Sequence, residues 1–360
     1  MSGHTDAAVL VDIARPLQLQ RLEMPPPGRG QAIVDIAWSA LCHTQLNEIR
    51  GLKGPDRFLP HTLGHEGAGT VAAVGTGVTK VRPGDRVVLT WIGCSGLDGG
   101  GAVYEGPTGA VNSGPVSTFL RRAVVSENRL VPLPVDMPLR EASLFGCAIP
   151  TGVGLIRNDA RLDRGGSIAV FGVGGVGLSA VVGAQLAGAG TIVAVDVDDT
   201  RLARARRFGA THTVNVRREN VVEAMRTIGA GIGLDAAVEA SGATEAMEAA
   251  FEIVKPGGIA IIAGNAPAGA RIRIAPMDLI KGKRIAGSWG GGSVPDRDTP
   301  LYLALYRQGA LPLGELITHE YPLGMINEAF EALAAGKAGR ILVNMAEDAQ
   351  VRMPGETDAR

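Results

Sequence analysis

Residues 167–196 constrain most tightly what this chain can fold into. An apolar run, Ser167-Ile168-Ala169-Val170-Phe171, meets the glycine turn Gly172-Val173-Gly174-Gly175-Val176-Gly177. The turn leads into a helix-like stretch from Leu178 to Ala187. A second apolar run, Thr191-Ile192-Val193-Ala194-Val195, ends in Asp196, 19 residues past the last glycine. This is strand, G-x-G-x-x-G, helix, strand, acid. One glycine makes the tight turn, one lets the backbone approach a pyrophosphate, and one lets helix and strand pack closely. The helix N-terminus offers free N–H groups and the positive end of its dipole to phosphate. Asp196 can accept from both hydroxyls of an adenosine ribose and would repel a 2′-phosphate, which favours NAD over NADP. In a chain with 51 glycines, the motif alone is a tight turn. The flanking strands and the acid at this distance make it a dinucleotide site, with Gly172, Gly174, Gly175, Val176, Gly177, Asp196 and Arg201 as the cofactor-binding set.

The whole chain is consistent with a soluble enzyme of two domains. Its 360 residues are enough for two cores. A formal net charge of −1 gives no reason to expect nucleic acid or an anionic membrane as partner. No apolar stretch reaches the ~18 residues a bilayer span needs. The N-terminus, Met1-Ser2-Gly3-His4-Thr5-Asp6, lacks the basic and apolar regions of a secretion signal. Three widely spaced cysteines are not a disulfide framework. The expectation is a cytoplasmic protein with reduced thiols.

Texture divides the chain. Residues 1–148 read as short strands (Ala7–Asp12, Gln31–Ala37, Gly69–Val74, Arg86–Trp91) between turns such as Pro25-Pro26-Pro27-Gly28 and Arg82-Pro83-Gly84-Asp85. Residues 149–293 alternate strands and helices, as a doubly wound parallel sheet requires. There Leu202–Phe208 reads as helix, and Ala236–Glu239 and Gly258–Gly264 as later strands, the second preceded by the turn Lys255-Pro256-Gly257-Gly258. Residues 294–346 return as helix and turn, ending in the strand signal Arg340–Asn344. Residues 347–360 read as a polar tail. Residues 92–117, rich in glycine with Cys94, Asp98, Tyr104, Glu105 and Asn112, read as one long loop, functional and near the active site.

Two cysteines and a histidine stand at suggestive places. Cys42 follows a β-like run, His65 lies in Leu63-Gly64-His65-Glu66-Gly67, and Cys147 precedes the nucleotide-binding region. Two thiolates and an imidazole make a tetrahedral zinc site with one open position. Taken singly, each cysteine reads equally well as a small buried hydrophobe and the histidine as a satisfied polar group. The spacings match no compact zinc pattern, so the residues alone leave both readings open.

In order along the chain come Pro25-Pro26-Pro27-Gly28, Cys42-His43-Thr44, Gly64-His65-Glu66-Gly67-Ala68-Gly69 with Val74-Gly75, and Val81-Arg82-Pro83-Gly84-Asp85-Arg86-Val87. Cys147 with Thr151-Gly152, the glycine turn, Leu316-Ile317-Thr318-His319 and Ile326-Asn327-Glu328-Ala329-Phe330 follow. This ordered set resembles the zinc-dependent medium-chain dehydrogenase/reductase superfamily, in its alcohol dehydrogenase branch, over nearly the full length. The resemblance implies a Rossmann doubly wound parallel sheet plus a mainly β GroES-like catalytic domain. It implies a catalytic zinc on Cys42, His65 and Cys147, with Glu66 just behind it. Thr44 matches the hydroxyl that bonds the substrate oxygen and passes its proton outward, and His43 a position that meets the cofactor pyrophosphate. Trp91 matches a wall of the substrate pocket. Gly287-Ser288-Trp289-Gly290-Gly291 would border the nicotinamide, and Ala263-Gly264-Asn265 would present backbone groups to its carboxamide. The implied reaction is hydride transfer between a small alcohol and NAD, in a homodimer or homotetramer; the polar, glycine-rich segment 92–117 points to a polyol or sugar derivative over a simple alcohol.

The chain departs from that pattern in three places. The lobe that often holds a second, structural zinc on four cysteines has only Cys94, so one zinc per chain is expected. Gln45 stands where an aspartate is usual, a partner for the arginine matched by Arg340. Arg340, counted with the cofactor-binding residues, must then find another partner such as Glu66. Asn47 replaces a histidine that ends some proton relays. Two other readings stay open: a zinc-free enone or quinone reductase on the same fold, and a non-redox or internally redox enzyme, or a binding protein, that keeps NAD as a fixed prosthetic group, for example in sugar or secondary-metabolite chemistry.

Overall fold

The computed structural model describes residues 3–336 and 338–346, and the predicted polar tail lies outside them. The chain divides into two units. One runs to Cys147 and resumes at Val294; the other is Ala148–Ser293.

The second unit is a six-stranded sheet of parallel strands: β1 (Ser167–Phe171), β2 (Thr191–Asp196), β3 (His212–Asn215), β4 (Leu234–Glu239), β5 (Val254–Ile262) and β6 (Arg284–Gly287). The spatial order is 3-2-1-4-5-6, the doubly wound order of a dinucleotide-binding sheet. In β1, Ile168, Ala169, Val170 and Phe171 are all buried. A continuous apolar run of this kind is what a strand covered on both faces requires. Ala169, Val193, Ala237 and Ala260 pack with Phe251 in the core on one side. The turn Lys255-Pro256-Gly257-Gly258, read from sequence as preceding its strand, lies inside β5. A register shift against β4 accommodates it there.

The first unit is mainly β. Gly3–Leu10, Gln18–Met24, Val103–Gly106, Gly109–Asn112 and His61–Thr62 close a small barrel. A second sheet runs Leu130–Pro132, Arg86–Thr90, Glu66–Val74, Gln31–Ala40, Arg340–Asn344, Ile317–Pro322, with Arg122–Ser126 also paired to Gln31–Ala40. Leu10, Leu22, Val34, Val71, Leu89, Phe119 and Ile341 fill the core.

The barrel corrects one expectation. Residues 92–117 are not one long loop, since Val103–Gly106 and Gly109–Asn112 form an antiparallel hairpin. Tyr104 is buried there, and its hydroxyl accepts from the Val124 N–H at 2.8 Å. Two four-residue strands, one ending in Gly106 and the other starting at Gly109, carry too little alternation to be seen as strands. The polarity of this segment therefore says nothing about a polyol substrate.

Candidate active site

The metal-like residues converge within the first unit. The thiol sulfurs of Cys42 and Cys147 and a ring nitrogen of His65 lie within 4.8 Å of one another. Cys42 is the extended residue before the short helix His43–Ile49. Its N–H donates to Gln45 Oε1 at 2.9 Å, and Thr44 Oγ1 lies 3.6 Å from its sulfur. His65 enters the strand Glu66–Val74 behind Gly64, whose φ of +95° and whose contact with the Thr118–Phe119 backbone exclude a side chain. The Glu66 carbonyl accepts from Ser39 at 3.1 Å and Thr118 at 3.2 Å, which fixes the strand start. Cys147 is placed by the preceding carbonyl, Gly146 O, which accepts from Thr90 Oγ1 at 2.8 Å.

Donor chemistry tests whether a metal fits. His65 Nε2 is buried and has no hydrogen-bond partner among the described residues. A buried imidazole nitrogen left unmet is costly, and a metal ion removes that cost. The Cys42 thiol is held well below the ordinary thiol range. The hydrogen bond with Cys147 is the main cause; burial opposes it, and His65 and Arg340 add to it. A thiolate is the form a metal needs. Two soft sulfurs and one imidazole suit zinc.

Behind these donors lie Glu66 and Arg340, both buried and ion-paired to each other. Burial brings the Arg340 guanidinium down to about 10, while the Cys42 thiolate works the other way. Arg340 thus pairs with the carboxylate of Glu66 where Gln45 supplies only an amide. Gln45 Nε2 is buried without a partner among the described residues. Trp91 stands beside the site, its ring 6.4 Å from the His65 ring and edge-on to it. His43 and Arg340 both belong to this unit.

A second cluster, Glu48, Asp56 and His61, was missed in sequence reading and also has metal-like spacing. Its groups are already engaged. His61 Nε2 is 2.9 Å from Asp56, its Nδ1 is 3.1 Å from the Thr62 carbonyl, and Glu48 pairs with Lys53 at 2.8 Å. It is an ion-pair knot on the segment joining Cys42 to His65.

In the second unit the glycine turn takes the expected form. Gly172 has φ +78°. The helix Gly175–Leu186 follows, with Val176 in its first turn. A Cβ on Gly177 would fall 1.9 Å from the Gly172 carbonyl, whereas one on Gly174 would meet no described atom within 4 Å. The first position is closed by the fold; the second faces open space. Asp196 is buried, and its carboxylate does more than sequence reading assigned to it. It accepts from Val173 N–H at 2.9 Å and Val197 N–H at 2.8 Å, with Arg201 Nη1 at 3.6 Å. It therefore ties the glycine turn to β2. The N–H groups of Ala263 and Gly264 donate to the Glu239 carbonyl at 2.8 and 3.0 Å, so only their carbonyls remain to offer a ligand. Trp289 is 80% exposed, and Ser288 Oγ donates to Asp159 at 2.6 Å.

Comparison with known proteins gives the family. The family described as "Alcohol dehydrogenase GroES-like domain" matches residues 28–135, and "Zinc-binding dehydrogenase" matches 175–307. Alcohol dehydrogenase 2 of Zea mays is 32% identical, over 94% of this chain and 97% of its own length. Alcohol dehydrogenase 1 of Solanum tuberosum is 33% identical, over 94% and 96%. The chain belongs to the zinc-binding dehydrogenases. Among solved members, a zinc-binding-domain alcohol dehydrogenase from Burkholderia ambifaria superposes with a TM-score of 0.89 at 31% identity, covering 96% of this chain and all of that one. Benzyl alcohol dehydrogenase from Acinetobacter calcoaceticus superposes at 0.87 and 29% identity, with the same coverage. Like its relatives, this zinc-binding dehydrogenase is an oxidoreductase that carries out an alcohol dehydrogenase-type reaction. Among the described residues no helix is long and apolar enough to cross a membrane.

Proposed function

We propose that this chain interconverts a small alcohol and its aldehyde or ketone with NAD, using one zinc held by Cys42, His65 and Cys147. The observation that carries the reading is the convergence of these three donors, with His65 Nε2 buried and unmet. Bound there, zinc supplies Lewis acidity toward a hydroxyl oxygen; the nicotinamide supplies the hydride acceptor. The remaining work is the chain's own. Thr44, 3.6 Å from the Cys42 sulfur, is the hydroxyl placed to take the substrate proton. Trp91 gives the site an apolar wall beside His65. Arg340 neutralises Glu66 and interacts with the Cys42 thiolate, so the carboxylate behind the donor set adds no net negative charge to it. Asp196 would repel a 2′-phosphate, which supports the reading of NAD over NADP.

Cys147→Ser tests the zinc assignment. The variant is expected to lose bound zinc, measured by elemental analysis, together with alcohol-dependent NAD reduction. A Cys147→Ser protein that is zinc-free yet reduces NAD at the wild-type rate refutes the assignment and favours the zinc-free reductase.

A further inference from the structure

The carboxyl edge of the parallel sheet holds a buried acid that the scheme above does not use. Glu239 ends β4 and is fully buried. Its Oε1 accepts from the Ser241 N–H at 2.6 Å, the Ser241 hydroxyl at 2.5 Å and the Gly242 N–H at 2.8 Å. Its main-chain carbonyl accepts from Ala263 and Gly264 beyond β5, and the neighbouring Ala240 N–H donates to Phe171 O, the end of β1, at 2.8 Å. The turn it holds is packed hard against both neighbouring loops. A Cβ on Gly172 would lie 2.7 Å from Ser241 Cβ, and one on Gly264 would lie 2.2 Å from the Gly242 nitrogen and 2.5 Å from Glu239 Oε2. Glu239 therefore holds its own turn and the loop after β5, and through that turn, Ala240 and Ser241, the loop after β1.

Retaining a carboxylate here is costly. Oε2 is buried and makes no well-formed hydrogen bond among the described residues, the nearby Gly264 N–H being shared with the Glu239 main-chain carbonyl, and such poorly met groups are rare in folded proteins. Burial pushes the carboxyl upward in pKa against the pull of its donors. A short neutral side chain would cap the strand more cheaply, but no neutral acceptor gathers three donors as strongly as a carboxylate. The location gives the cost a purpose. The strand order reverses between β1 and β4, and a dinucleotide lies across that reversal with one mononucleotide on each side. Asp196, at the end of β2, marks the adenosine side. The loops after β4 and β5 then face the other half.

We infer that Glu239 is a positioning residue for the nicotinamide half of the dinucleotide, acting through the Ser241–Gly242 turn and Gly264. The inference rests on the dinucleotide reading above. The test is calorimetric binding of NAD and, separately, of AMP to the full-length zinc-loaded protein, with steady-state kinetics alongside. Glu239→Leu should weaken NAD by about tenfold or more, the equivalent of one hydrogen bond to a charged acceptor, while AMP stays within about twofold. Glu239→Gln, whose amide oxygen still accepts from the turn, should stay within about threefold of wild type, with KM for NAD rising more than kcat falls. If Glu239→Leu does not fold, Ser241→Ala carries the test, since it removes one hydroxyl donor and should weaken NAD but not AMP. Unchanged NAD affinity in the variants overturns the inference, as does equal weakening of NAD and AMP. A wild-type protein that binds neither ligand overturns the dinucleotide reading, and this inference with it.

Discussion

Single side chains in this protein do two jobs where sequence assigns them one. Asp196, proposed above as the acid that selects the cofactor, also accepts from the Val173 N–H, so the same carboxylate shapes the glycine turn. Arg340 and Glu66 are a sharper case. Both are buried, and each charge is tolerable because the other is there. Removing one member of such a pair leaves a bare charge in a low-dielectric site and costs about 3–5 kcal/mol, whereas removing both can be nearly neutral. Arg340→Met and Glu66→Gln are each expected to destabilise the protein in denaturant titration by about that amount, and the double variant to recover much of the loss. Additive losses in the double variant would show that the two groups do not depend on each other. The sequence named Glu66 as a possible partner only because Gln45 lacks a charge. The pairing itself needs the strand Arg340–Asn344 to lie beside Gln31–Ala40, which no local pattern reveals.

Among elements, those with strong local signals were legible and those built by distant closure were not. Ser167–Phe171 and Arg340–Asn344 read from sequence with the bounds observed, because each has an unbroken apolar centre, residues 168–171 and 341–343. The helix after the glycine turn begins at Gly175 rather than Leu178, since glycine propensity hid its first turn. The hairpin in 92–117 was hidden for the reason given above. Its neighbour, residues 92–101, is held without the four cysteines such a lobe often carries. The buried Glu127 carboxylate accepts from the N–H groups of Thr79, Lys80 and Leu97 at 2.6–2.7 Å. Lys80 reaches Asp296 at 2.6 Å and the Cys94 sulfur at 3.1 Å. One carboxylate and one ammonium thus tie together segments far apart in sequence. Glu127→Ala should strand three donors and cost about 3 kcal/mol or more. Hydrogen exchange at Thr79, Lys80 and Leu97 should accelerate while exchange in β1 stays at the wild-type rate. Unchanged protection at those three amides would mean that the lobe is held by packing instead.

At the scale of the whole molecule, a near-zero net charge hides an asymmetry in how acids are held. Burial pushes Asp56, Glu127, Asp235 and Asp296 upward in pKa, yet each ends below its ordinary range. N–H donors from Phe58, Leu97, Ser167 and Ser95, together with the His61 ring and the cations Lys80 and Lys255, more than offset the burial. Asp235 goes furthest, to about 2. Its carboxylate accepts from Ser167 N–H at 2.7 Å and Ser167 Oγ at 2.6 Å, and it pairs with Lys255, so it joins the start of β1 to β4. A folded-state value below the unfolded ~3.9 means the unfolded chain takes up the proton first as pH falls. The stabilisation is therefore complete above about pH 4 and is lost as pH drops toward 2. Glu239 runs the other way. Its raised value means the folded state holds the proton more tightly, so it costs stability at neutral pH and the cost fades on acidification. Among the described residues these four depressed acids outweigh Glu239, so stability should be flat from pH 7 to 5 and fall from pH 4 to 2. Asp235 is about one-third exposed, so after discount for screening its share is about 1 kcal/mol. Asp235→Asn should lose that amount at pH 7 and converge on wild type near pH 2. Urea titrations at each pH would show it; two curves that stay parallel down to pH 2 would mean that the Asp235 charge contributes nothing to holding β1 against β4.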